Sequence, residues 1–475
     1  MAEGSAGEGS AAEPLSQRRR VAYAMGSAGF SVSDRIVFVL AIYFFLPPEG
    51  SGLQPLVSQE IFYGGLTAFG AASLIGRLFD ALADPFVGHA SDRSRSRLGR
   101  RRSFLLYGIV PMTALPVLLF FPPGAPESFV NFLWLAALMA VFYVAFTVYV
   151  APYLALIPEL AAGHEARVKL ATLLAIVTFP VTILFGAWTI GFDLLTRGGM
   201  DPTVAMRTVV AVLALISFGF CLLPIVAIDE RRHARTVPSE LPILTAIKTT
   251  LVNRPFLLYL FAQIFFILGV NMIQPVLAYY PRVVLHRTES VAAILGLVLA
   301  VSTAGGFPIV SSLGRRIGAK RALIVCVVVF SGALAALWGL EPAEPGTLRD
   351  RMNLALLGVV MLACGVPVAG FMVMPHVIIS QLIDRDEAMT GSNRAAMFFG
   401  IQGFCTKFVY GISGAILSFL FARFGNSADE PLGVLLVGPV AAALCLLSGL
   451  LYMLYPEREV LSAARRPEVA GPAER

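Results

Sequence analysis

The chain has 475 residues, of which 57% are hydrophobic and 14% charged, with a net charge of +6 and a mean hydropathy of +0.78. A soluble domain of that composition would leave far too much apolar area in water, so the chain reads as a polytopic membrane protein. The positive charge follows the loops between apolar segments, and nucleic-acid binding is not needed to explain it.

Residues 1–20 are Gly, Ala, Ser and Glu followed by Arg18, Arg19 and Arg20, a short disordered tail with a basic end. The apolar segment behind it has no compelling small-residue cleavage site and outruns a signal-peptide core, so it is a retained span. Apolar runs of about 20 residues, separated by Gly, Pro and charge, predict twelve helices. They cover 21–46, 59–90, 103–121, 130–158, 169–196, 204–228, 255–281, 290–313, 319–340, 351–383, 394–422 and 431–455. The polar connection 229–254 divides an N-terminal six-helix half (21–228) from a C-terminal one (255–455), and residues 456–475 form a second tail. Cys221, Cys326, Cys364, Cys405 and Cys445 are isolated in apolar segments and point to neither disulfides nor a metal site.

Basic residues orient these spans. The tails and even-numbered loops hold 26 of the 36, the other side holds 7, and Arg35, Arg77 and Lys407 lie within spans. That bias puts both termini in the cytoplasm of a cell (inner) membrane protein and supports an even span count.

Span 2 breaks the apolar pattern. Arg77, Asp80 and Asp84 sit in the phrase RLFDALADP (77–85), and steps of three and then four residues return to nearly the same helix face. An ionised side chain near the bilayer centre costs roughly 2.5 to 3.5 kcal/mol on insertion scales, so such groups face a bundle interior and mark a substrate or ion path. Past Arg394 at its start, Lys407 is the one charged residue within span 11, and a buried lysine is best stabilised by a carboxylate.

The loop GHASDRSRSRLGRRR (88–102) resembles the signature of the major facilitator superfamily, with an echo at SLGRRIGAKR (312–321). RLFDALADP followed by SRSRLGRRRSF (94–104) is narrower and resembles the glycoside-pentoside-hexuronide:cation symporters. Tyr23 in span 1, TVYVAPYLALIPE (147–159), NMIQPVLAYY (271–280), LIDRDE (382–387) and FCTKF (404–408) extend the likeness along most of the chain. The resemblance implies an all-α membrane fold of twelve helices in two halves. It implies a cation site at Asp80, Asp84 and Thr147, coupled through Lys407 and Arg77. The loop residues Asp92, Arg93, Arg100, Arg101, Arg102, Arg315, Arg316 and Asp384 would form the gating machinery.

This sequence departs from the sugar-transporting pattern. Ala83 replaces the asparagine between the span-2 acids, which removes a neutral oxygen suited to sodium and leaves protons open as the coupling ion. The span-4 sugar acid falls at Val150 and its aromatic neighbour at Leu154, while the span-1 acid falls near Ser31, with Asp34 displaced by about one turn. Tyr23, Tyr143, Tyr153, Asn271, Gln274 and Tyr279 remain cavity candidates, although each alone is more often a packed interior residue. Asp34 and Arg35, adjacent and opposite in charge, read equally well as a local pair or a functional one. APYLAL (151–156) and FCTKF are closer to the lysolipid-transporting branch.

The function these features imply is a symporter coupled to H+ or Na+, moving a small organic solute of the sugar or glycoside class by alternating access. A lysolipid or other amphiphile is the alternative, and a non-transporting receptor or scaffold is a different class. No cofactor is expected, nor any metal beyond sodium, and the expected partners are the solute and membrane lipids, with the chain a monomer. An enzyme would need a metal cluster or an activated nucleophile, whereas His89, His164, His233, His286 and His376 are scattered without ligand spacing. A primary pump would need an ATP-binding loop, which the sequence lacks.

Overall fold

Short polar side chains set where several helices begin. The computed structural model describes residues 15–61, 66–160, 164–230, 253–288, 290–390 and 395–464. The Ser16 hydroxyl accepts from the Arg19 amide and opens α1 (Gln17–Phe45). Thr67 accepts from Gly70 at 3.1 Å and opens α2 (Ala68–Arg93). Asp201 accepts from the Thr203 and Val204 amides ahead of α6 (Pro202–Ala227), and Asn253 from Phe256 ahead of α7 (Arg254–Val276). These side chains satisfy amides that a helix start leaves without a partner, and in α6 and α7 a proline in the first turn removes one of those amides.

The remaining helices are α3 (Arg102–Leu119), α4 (Phe129–Leu160), α5 in two pieces (His164–Phe185 and Trp188–Arg197), α8 (Ser290–Ile317), α9 (Ala319–Ala336), α10 (Leu348–Thr390), α11 (Ala395–Phe424), α12 (Leu432–Leu454) and the short α13 (Glu457–Ala464). Among the described residues, ten helices are long and apolar enough to cross a membrane. The two other places in a twelve-helix arrangement belong to α2, which carries the charges, and to α5, which breaks at Gly186 and Ala187.

Several boundaries move from their expected places. The second span starts at Ala68 rather than at residue 59, because the Thr67 hydroxyl supplies the cap. The first begins at Gln17, so Arg18, Arg19 and Arg20 are helical. Helix α1 also widens into a π turn at Ile36–Leu40. Helix α10 runs through LIDRDE to Thr390, and its 43 residues span about 65 Å, twice the hydrocarbon core. The C-terminal tail opens with α13, held where Glu457 accepts from the Lys320 amide and the Lys320 ammonium donates to the Met453 and Tyr455 carbonyls.

Helix neighbours repeat between the halves with an offset of six. In the first half α1 packs on α5 and α6, α2 on α4, and α3 on α4 and α6; in the second α7 packs on α11 and α12, α8 on α10, and α9 on α10 and α12. The halves meet where α2 packs on α11 and α5 on α8, which are equivalent pairs under the same offset.

Polar contacts between the halves gather at the end away from the basic loops. Tyr279 donates to the Leu46 carbonyl at 2.8 Å, and the Asn426 amide reaches the carbonyls of Leu46 and Pro47. Asp193 accepts from the Ser290 amide at 2.9 Å, and Arg197 donates to the Thr288 hydroxyl at 3.1 Å. At the basic end, the ion pairs described run inside a half.

Candidate functional site

Helix α2 presents Arg77, Asp80 and Asp84 to the seam with α11, and Lys407 reaches them from the other half. Its ammonium donates to Asp80 Oδ1 at 2.8 Å and to both Asp84 oxygens at 2.7 Å. The Thr147 hydroxyl of α4 donates to Asp80 Oδ1 at 2.7 Å. Arg77 lies 3.4 Å from Asp80 Oδ2 and 3.0 Å from Asp34 Oδ1. Its guanidinium carbon also stands 4.0 Å from the Tyr143 ring centre and 4.8 Å from that of Tyr410. The five groups implied by the resemblance in the cation and coupling roles therefore form one connected network with Asp34.

Burial differs sharply inside this network. The Asp80 side chain is 0% exposed and Asp84 36%. Asp80 is sealed by Thr147, Arg77 and Lys407, while Asp84 keeps an accessible side. Pro85, inside α2, has no N–H, so the Ala81 carbonyl one residue after Asp80 lacks its helical donor.

The other cavity candidates divide. Ser31 and Gln274 line a cavity of about 620 Å³ between the halves, bounded by α1, α5, α7, α8 and α10, with Phe330 and Leu334 of α9 behind. Tyr23 and Tyr153 are fully buried, stacked at 4.4 Å, and each hydroxyl bonds the other's carbonyl, which makes them a clamp between α1 and α4. Tyr143 is the platform under Arg77. Tyr279 is buried on the α1 carbonyls and does not line this cavity, and neither does Val150, which is half-buried against the core. Asn271 is buried, and its side-chain nitrogen has no hydrogen-bond partner.

The residues expected to gate are placed as follows. Arg100 and Arg101 pair with Glu159 at 2.7 and 2.8 Å, the Arg101 and Arg102 amides donate to Glu230, and Arg102 Nε donates to the Ile225 carbonyl. These bonds tie the start of α3 to the ends of α4 and α6 within the first half. Arg93, Arg315 and Arg316 are exposed helix-end residues at the basic end, and Asp384 is exposed within α10, about two turns before its end. Asp92 lies on α2, with its side chain outside the described residues.

One member of this network escaped sequence reasoning, and one neighbouring residue was left open by it. Tyr410, one turn beyond Lys407, completes the aromatic sandwich on Arg77, and its spacing of three residues was the available signal. Arg35, read as an ambiguous neighbour of Asp34, lines the cavity that Ser31 and Gln274 share.

The family described as MFS/sugar transport protein matches residues 23–457. The isoprimeverose transporter of Lactiplantibacillus pentosus is 22% identical over 420 residues, covering 86% of this chain and 81% of the relative. The sodium-dependent lysophosphatidylcholine symporter 1 of Mus musculus is 24% identical over 490 residues, covering 94% and 86%. Among solved structures, a bacterial homolog of the human lysosomal transporter Spinster, inward-facing and unoccupied, superposes with a TM-score of 0.66 at 12% identity, covering 95% of this chain and 100% of that one.

Proposed function

The chain belongs to the MFS/sugar transport protein family, and from that premise we propose that it is a symporter in which one proton or sodium ion at Asp80, Asp84 and Thr147 drives uptake of a small organic solute. The observation that carries this reading is the Lys407 ammonium resting on both acids, because it joins a cation-binding pair in one half to a charge in the other. With all groups ionised, Asp34, Asp80 and Asp84 face Arg77 and Lys407, so the bonded network has one excess negative charge. That excess beside the two acids favours a monovalent cation there.

The sequence of events follows from competition. Cation and ammonium would compete for the same two acids: a bound cation displaces Lys407 and screens the repulsion between the carboxylates in its place. Lys407 and α11 then lose their hold on α2, and the two halves are free to move about the central cavity. In the proposed orientation both termini are cytoplasmic in the cell membrane, and the contacts of Tyr279, Asn426 and Asp193 close the outer side.

Sugars or glycosides are the favoured solute class by family. The cavity favours a second reading, an amphiphile, because its walls include Leu174, Phe179, Trp188, Leu299 and Met361 and it has no carboxylate among the described lining residues.

Uptake by the purified chain in liposomes tests the symporter reading, with xylose, methyl glucoside, glucuronate and lysophosphatidylcholine as solutes and the pH and sodium gradients set independently. One of these solutes is expected to accumulate under at least one gradient. Asp84→Asn, with Asp80 intact, is expected to abolish that accumulation while melting near the wild type. Wild-type accumulation in the variant would remove Asp84 from coupling, and loss of folding would assign the pair to structure alone.

A further inference from the structure

Arg35 stands midway along α1, immediately before the π turn at Ile36–Leu40, and lines the cavity between the halves. It is the one charged residue among the described residues that line it. Its Nη1 is buried and has no hydrogen-bond partner. Asp34, the adjacent carboxylate, points away and bonds Arg77 at 3.0 Å. A guanidinium nitrogen shut off from water without an acceptor is costly, and a π turn inside an α-helix recurs at functional sites. Around Arg35 the wall is mostly apolar, with Ser31, Thr178 and Gln274 as nearby polar groups.

We propose that Arg35 anchors the acid group of the transported solute, which is an organic anion carrying one carboxylate or phosphate on an apolar body. This deepens the symporter reading and rests on it. The guanidinium offers a planar fork that matches either acid group, and the apolar walls receive the rest of the molecule.

Charge balance supplies an independent reason. Arg35 brings the six ionised groups Asp34, Asp80, Asp84, Arg77, Lys407 and Arg35 to neutrality. An anion seated on Arg35 leaves the centre one charge negative, and a monovalent cation at Asp80 and Asp84 restores balance. Anion and cation therefore raise each other's affinity by the same factor.

Equilibrium binding to the full chain in lipid nanodiscs tests this without any gradient. Two matched pairs serve as probes: phenyl glucuronide against phenyl glucoside, and octyl phosphate against octanol. In one pair at least, the anion is expected to bind about tenfold or more tighter than its neutral partner. Whether the carboxylate or the phosphate does so identifies the acid. Arg35→Gln is expected to bring the anion down to the neutral level, and Arg35→Lys to keep part of the difference. Equal binding within both pairs, or no binding of any probe, overturns the proposal, and so does an unchanged anion affinity in a folded Arg35→Gln protein. The wild-type comparison stands even where the variant fails to fold. Gradient-driven accumulation of the neutral glucoside would support symport while removing Arg35 from substrate recognition.

Discussion

Asp80 and Asp84 are one helical turn apart, yet their surroundings assign them different tasks. Asp80 has no exposed surface and is bonded by Thr147, Arg77 and Lys407, so it anchors the network. Asp84 is partly exposed and, in the proposed symporter, would be the acid that accepts and releases the ion. Ala83 lies between them, so sodium, a hard cation, would have only the two acids and Thr147, a thin oxygen shell. A proton needs only one of the carboxylates. We expect a pH gradient to drive transport in the wild type and Ala83→Asn to improve apparent sodium affinity about threefold or more by adding a neutral oxygen. Uptake that depends strictly on sodium and ignores an imposed pH gradient would contradict this. The charged members of the site were legible in the sequence because each interrupts an apolar run. Tyr143 and Tyr410 gave no such contrast, since an aromatic ring in an apolar span reads as packing until the guanidinium between the rings is seen.

Helices α2 and α11 approach closely because glycines line their seam. A Cβ on Gly411 would lie 3.2 Å from Arg77 Cγ and from Leu74 Cδ2, and one on Gly70 would lie 3.0 Å from the Ala415 Cα. Gly411→Leu is therefore expected to force the helices apart, costing about 1–3 kcal/mol and displacing Arg77 from its aromatic sandwich. Gly403→Ala, on the same helix but facing open space, is the control and should leave the melting temperature level or raised. Thermal unfolding in detergent compares the two; equal losses would show that the seam has room to spare. The apolar runs gave away the number of spans and most of their centres. They concealed the late start of α2, the break in α5, the π turn in α1 and the length of α10, because hydropathy reports which residues suit lipid and says little about caps, backbone widening or helices that continue into water.

Each half is a repeat of the other in its helix neighbours, so each is suited to move as a body about the seams α2–α11 and α5–α8. The basic loop braces one such body: Glu159 and Glu230 hold Arg100, Arg101 and Arg102 across the ends of three helices. Neutralising all three arginines is expected to slow exchange between facing states while equilibrium affinity stays within about threefold, since the brace lies far from the cavity. Counterflow rates and binding isotherms separate the effects. A large loss of affinity with normal exchange would place the loop in recognition instead. The sequence marked this loop by its density of arginines, but their partners, one at the end of α4 and one beyond α6, became visible only when the chain was folded.

Lys407 is an ion that the protein carries with it. Because the ammonium is tethered, its concentration at Asp80 and Asp84 does not fall when the surrounding medium is dilute, and even a loosely held group on a short tether competes at an effective level of order millimolar. In the proposed symporter an external cation would have to outcompete that resident, which would give the carrier a threshold: below it the acids stay occupied from within, and above it occupancy passes to the medium. In the proposed symporter, the lysine would thus set the ion level at which a gradient begins to drive the solute.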